Sequence, residues 1–310
     1  MLMVGMCSAD VRTHEESMDQ PQLFPRIDSH HHFLDPARRD YPWLKGMDAI
    51  ERRFAPDDLA PLLDANHING SVLVQTVSDL DETREFLRLA AETPWIVGVV
   101  GWVDLTDQTA AAMQDLRDSE GGEYLVGIRH PVHYEQDPDW LLGEEAQRGL
   151  EAVAEADLVY DLLVWPRELP AAITVARDFP HLRFVIDHIA KPPIASGETE
   201  PWAELMHEFA GLDNVACKLS GMVTEADAEH WSTEDLLPYV RTVVEIFGPD
   251  RLMFGSDWPV CLMAASYDEV VHSARQALSD LEVLTPEAEA AIFGGTTVRW
   301  YRLNLTNLDT

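Results

Sequence analysis

The residues best suited to chemistry stand in three short segments of the 310-residue chain. The first, Ile27-Asp28-Ser29-His30-His31-His32-Phe33, ends an apolar run in three histidines. Residues two apart share a face of a strand, so His30 and His32 point one way, with Asp28 beneath them, and His31 the other. Two imidazoles on one face can clamp a metal or polarise a carbonyl. The second segment, Phe184-Val185-Ile186-Asp187-His188-Ile189, puts His188 in strand register with Ile186 and Phe184. The third, Phe254-Gly255-Ser256-Asp257-Trp258-Pro259, sets Asp257 after a buried run that Pro259 stops. A carboxylate there ligates a metal or takes a proton from water. Capping of the next loop is its alternative use.

These segments need elements to bring them together. Short apolar runs begin near Arg26, Ser71, Trp95, Leu125, Leu158, Arg183, Val215 and Arg251. Eight strand candidates alternate with helical patterns, as in repeated βα units. The runs SVLVQTV (71–77) and IVGVVGWV (96–103) are nearly continuous, as in strands buried on both faces of a parallel sheet. Helical spacing is clearest over Thr233–Phe247, with similar patterns at Asp79–Thr93 and Thr106–Ser119, and Pro286–Tyr301 reads as an extra C-terminal helix. The pattern predicts an α/β fold, a single-domain (β/α)8 TIM barrel over 25–310. It is preceded by a loose arm over 1–24. The long segment Leu34–Asn69 is expected over the barrel mouth.

Such barrels keep their sites at the C-terminal ends of the strands. Polar or aromatic residues at those ends are therefore candidate substrate contacts: Gln75, Trp102, Arg129, His130, Asp161 and Trp165, joined by Trp43 and Trp258 near the mouth. Arg129 can anchor a ligand oxygen with its planar fork. Lys218 and Ser220 end strand seven, where a lysine can equally be a surface charge.

Composition narrows the setting. Fifty-five acidic residues against 22 basic give a net charge of −33, and only Lys45, Lys191 and Lys218 are lysines. A chain this anionic repels phosphate backbones, which argues against nucleic acid. No run approaches the ~18 apolar residues of a membrane span. The acidic excess predicts a halophile's cytoplasmic protein, since 1 M salt screens charges within about 3 Å. Cys7, Cys217 and Cys261 are too few and too scattered for a disulfide framework.

In combination the segments resemble the lactonase-like branch of the amidohydrolase superfamily. That branch holds sugar lactonases of the L-fuconolactonase and L-rhamnonolactonase type and the 2-pyrone-4,6-dicarboxylate lactonase. The resemblance runs through Ile27–Phe33, Asp40–Leu44, Val126–His130, Asp187–Pro192, Cys217–Gly221 and Phe254–Pro259. It implies a (β/α)8 barrel that hydrolyses a lactone, most simply a neutral aldonolactone. Asp257 would be the base, with His30, His32 and His188 around the carbonyl. Binuclear members of the superfamily carry a lysine or glutamate at the fourth strand and a histidine at the fifth. This chain has Arg129-His130 and Val164-Trp165 there, so a two-metal centre is not expected. His30, His32, His188 and Asp257 suit one zinc, and the branch also works without metal. A metal-dependent decarboxylase, a dicarboxylate lactonase and a non-catalytic barrel are the other readings.

Overall fold

The computed structural model describes residues 25–308; the predicted arm over 1–24 lies outside them. Eight parallel strands pair in chain order: β1 (Ile27–His31), β2 (Gly70–Val74), β3 (Ile96–Gly101), β4 (Leu125–His130), β5 (Val159–Leu162), β6 (Arg183–Ile186), β7 (Val215–Leu219) and β8 (Leu252–Phe254). The ring is drawn shut at the site itself. His32 N donates to the Trp258 carbonyl at 2.7 Å, and Asp257 N to the His30 carbonyl at 2.8 Å. The architecture is the (β/α)8 barrel that the strand pattern predicts.

Nearly all strand residues are buried, because helices cover the outer face and side chains fill the interior. Ile27, Val72, Val100, Val159, Val185 and Met253 cluster with Tyr301, Leu303 and Leu308 of the C-terminal segment. The chain end therefore stoppers the barrel at the starts of its strands and leaves the opposite end for a site. Asp79 caps the helix Leu80–Glu92, its side chain accepting from Asp81 N at 2.8 Å, a contact worth about 1 kcal/mol.

Two expectations are corrected. The C-terminal pattern is not one helix: Pro286–Ala290 and Thr296–Tyr301 are separated by a turn at Ala291–Gly295, where Gly294 leaves the helical region. Segment 34–69 contributes only its first part, which holds Trp43 and Met47, to the mouth. The remainder includes an ordinary crossover helix, Pro56–Ala65.

Candidate active site

At the C-terminal ends of the strands a cavity of ≈ 140 Å³ opens over His32, His188 and Asp257. A larger surface groove along Pro36–Gly46 includes none of these strand-end groups. Asp257 Oδ1 is the focus. His32 Nε2 stands 3.4 Å from it, His188 Nε2 3.8 Å and His30 Nε2 3.9 Å. The outer nitrogens are held. His32 Nδ1 donates to the Val74 carbonyl at 2.8 Å, and His188 Nδ1 lies 2.9 Å from Ser220 Oγ. His30 is fully buried beneath, its Nδ1 3.1 Å from Lys218 Nζ and 3.3 Å from Asp187 Oδ1.

Local backbone delivers these groups differently from the strand reading. β6 stops at Ile186, and His188 belongs to the following turn. His188, Ile189, Ala190 and Lys191 all have positive φ, between 47° and 59°. Asp257 also has positive φ, 56°. Non-glycine residues pay for that conformation, and such strain collects at functional sites. Asp28 is not beneath the histidine pair. The β1–β2 register shifts between Asp28 and His31, and Asp28 instead accepts from Ser256 N, His30 N and the Tyr267 hydroxyl. His31 turns away to Ser71 Oγ at 2.8 Å.

Of the candidate substrate contacts, Trp43, Gln75 and Arg129 line the cavity. Trp102, His130, Asp161, Trp165 and Trp258 do not. His130 stacks on Trp140, accepts from Trp102 Nε1 and pairs with Glu135. Trp258 is buried edge-on against Phe33 and Phe54. Trp165 packs beside His133 at the rim. Asp161 lies inside the barrel, 2.6 Å from Lys218 Nζ and 2.8 Å from the Tyr301 hydroxyl. His133, Tyr134, Lys191 and Met47 are also among the wall residues.

Sequence reasoning also missed a buried charge cluster. Lys218 and Asp187 are wholly buried, and Arg129 nearly so. Lys218 Nζ is 2.9 Å from Asp187 Oδ1, and Arg129 Nη1 is 2.9 Å from Asp187 Oδ2. Arg129 Nη2 also donates to the Gln75 carbonyl. A charge inside an otherwise buried strand run, as Lys218 is in VACKL, was the available signal.

The electrostatics follow from burial and neighbours. Burial alone would lift Asp187, but Lys218, His30 and Arg129 overcome it and hold the carboxyl well below its usual range. Burial likewise opposes ionisation of Asp257, but His188, His32 and Lys191 together outweigh it, leaving the pKa lowered. Burial pushes His188 down to about 4 and holds His30 well below the imidazole range, where Lys218 adds to the effect. At neutral pH the floor thus carries an ionised Asp257 beside a neutral His188. It can accept a proton from water and present imidazole edges to a developing oxyanion.

The same groups meet a metal's requirements in part. Two sets of ligand atoms each lie within 4.8 Å of one another, His30, His32 and Asp257 in one and His30, Asp187 and His188 in the other, and the outer nitrogens of His32 and His188 are anchored, as those of metal-binding histidines are. His30 is common to both sets, and Arg129 and Lys218 lie against its two ring nitrogens.

Comparison with known proteins finds similar chains. An L-fucono-1,5-lactonase of Burkholderia ambifaria is 41% identical over 92% of this chain and 98% of its own length. One from Burkholderia multivorans is 38% identical over 90% and 96%. An amidohydrolase of Burkholderia multivorans solved with zinc bound superposes with a TM-score of 0.84 at 37% identity, over 90% of this chain and 100% of that one. The amidohydrolase family model matches residues 27–303, nearly the whole barrel, and by that match the chain belongs to the amidohydrolase family.

Proposed function

We propose that this protein hydrolyses a sugar lactone, with L-fucono-1,5-lactone the first substrate to test. The observation that carries the reading is the convergence of three imidazole Nε2 atoms within 3.4–3.9 Å of Asp257 Oδ1 on the cavity floor. The relatives at 41% and 38% identity, both lactonases of that sugar, support the same substrate class. They also leave decarboxylation the less favoured chemistry.

Asp257 takes a proton from a water set against the lactone carbonyl carbon, and the resulting hydroxide adds to that carbon. Charge develops on the carbonyl oxygen, where the histidine edges stabilise it. The ring C–O bond then breaks. The proton held by Asp257 returns through His188 to the departing ring oxygen, and the product is an aldonic acid. An ester leaving group asks for no more assistance than this. A divalent ion held by His30, His32 and Asp257 would add Lewis-acid polarisation of the carbonyl.

The walls favour a neutral sugar over a dicarboxylate. Lys191 is spent on Glu225 at 2.5 Å and Arg129 on Asp187, so among the described residues neither cation lining the cavity is left unpaired for a second carboxylate. Trp43 offers an apolar face to the sugar ring. The acidic, lysine-poor composition supports a cytoplasmic milieu of concentrated salt, and Cys217 and Cys261 are buried free thiols. The test is ring opening followed by proton release, compared between wild type and Asp257→Asn. The reading requires turnover in the first and its loss in the second.

A further inference from the structure

The walls of the cavity carry hydrogen-bonding atoms that the protein itself leaves unused. Trp43, Gln75 and His133 line it. In each a buried polar atom has no partner among the described residues: Trp43 Nε1, Gln75 Oε1 and His133 Nδ1. An indole N–H only donates, an amide oxygen only accepts, and the nitrogen of a neutral imidazole does one or the other. Buried polar atoms are ordinarily paired, so such a set around one cavity marks what a ligand supplies. A hydroxyl both donates and accepts and can meet each of them. A carboxylate has no hydrogen for the amide oxygen, and an alkyl group meets none of them.

Gln75 is the informative member. It follows β2 directly and is almost wholly buried. Its backbone N–H donates to the Val100 carbonyl at 2.8 Å, its backbone carbonyl accepts from Arg129 Nη2, and its side-chain Nε2 donates to the Arg129 carbonyl at 3.2 Å. Turning the amide over would set oxygen against oxygen, so Oε1 is the atom left over. The preceding residue, Val74, supplies the carbonyl that anchors His32 Nδ1, and His32 Nε2 is the imidazole nitrogen nearest Asp257 Oδ1. Gln75 thus stands beside the place of reaction. A lactone carbonyl carbon has two neighbours in the ring. The ring oxygen has no hydrogen to give, whereas the carbon on the other side, C2, can bear a hydroxyl. We propose that Gln75 is a specificity-determining residue whose Oε1 accepts a hydrogen bond from the substrate's C2 hydroxyl, so that the enzyme selects 2-hydroxy lactones over their 2-deoxy counterparts. The contact also orients the ring. β2 and β6 lie opposite each other in the eight-stranded barrel, so a C2 held at β2 turns the ring oxygen towards His188, which follows β6.

This selection rests on the lactone reading and sharpens it. The test measures kcat/KM for L-fucono-1,5-lactone and for its 2-deoxy analogue. Each value is divided by the rate at which hydroxide alone opens that lactone, because a 2-hydroxyl also activates the carbonyl. The wild type is expected to prefer the hydroxylated lactone roughly 10- to 100-fold, the effect of a buried acceptor left without its donor. Gln75→Met keeps the length of the side chain and removes the acceptor, so the ratio is expected to fall to about 1. A merely structural role would lower both rates together and leave the ratio as it was. Equal efficiency of the wild type on the two lactones overturns the proposal and leaves the lactone reading standing. So does a preference that survives in Gln75→Met. A wild type that opens neither lactone overturns the lactone reading and the proposal together. If Gln75→Met does not fold, Gln75→Asn, which withdraws the oxygen by one methylene, is read for the same loss of preference.

Discussion

Gly221, just beyond β7, offers a direct check on whether the placement of His188 matters. Its φ is +63°, and a Cβ built there would lie 2.7 Å from both Cγ and Nδ1 of the His188 ring. Ordinary contact begins at 3.4 Å, so the ring must retreat by about 0.7 Å. Its Nδ1 contact to Ser220 and its Nε2 position over Asp257 move with it. A misplacement of that size costs on the order of 10- to 100-fold in rate, and alanine in the left-handed region adds about 1–2 kcal/mol of instability. Gly197 provides the control, with φ +71° and nothing within 4 Å of the added carbon. Gly197→Ala is expected to lose similar stability in urea unfolding and to keep its kcat/KM on L-fucono-1,5-lactone. Gly221→Ala is expected to lose both. Wild-type kcat/KM in Gly221→Ala, or an equal loss of activity in Gly197→Ala, would refute the reasoning.

Three further outcomes follow from the same structure. Trp43→Ala removes an aromatic wall, and the ~0.5–1.5 kcal/mol typical of such a contact corresponds to a KM raised roughly 2- to 12-fold, with kcat changed less; an unaltered KM would remove Trp43 from the sugar's path. Burial lowers His30, His31, His130, His133 and His188 from the ordinary 6.5, His188 to about 4, while it raises Asp28, Glu82 and Asp161. Five groups that protonate more easily in the unfolded chain outnumber three that protonate more easily in the fold. Stability is thus full above pH 6.5 and drains as the pH falls towards 4; a urea midpoint that rises on acidification would contradict this. The net charge of −33 repels itself until screened, so the urea midpoint is expected to rise between 0.1 and 2 M KCl. A flat or falling midpoint would count against the concentrated-salt milieu.

Much of the architecture was legible because eight apolar runs recur at βα spacing and tertiary closure follows from that repeat. His30, His32 and Asp257 were legible because polar residues interrupt buried runs at strand ends. The rest was hidden for identifiable reasons. Strands covered on both faces show no alternation, so nothing in VACKL tells whether Lys218 points inward, and lysine is ordinarily exposed. The same ambiguity left Trp102, His130 and Trp258 as candidate contacts, though the fold turns them outward or buries them. Four successive positive φ values after Ile186 have no glycine to announce them, so His188 read as a strand residue. A register break between Asp28 and His31 likewise carries no residue signature.

The central claim is that Asp257 activates water against a sugar lactone. Its most direct test is single-turnover hydrolysis of L-fucono-1,5-lactone by wild type and Asp257→Asn, with circular dichroism establishing that both are folded. The account expects rapid ring opening by the wild type and a rate about 10²- to 10⁴-fold lower in the variant. A folded variant that opens the lactone at the wild-type rate would contradict it.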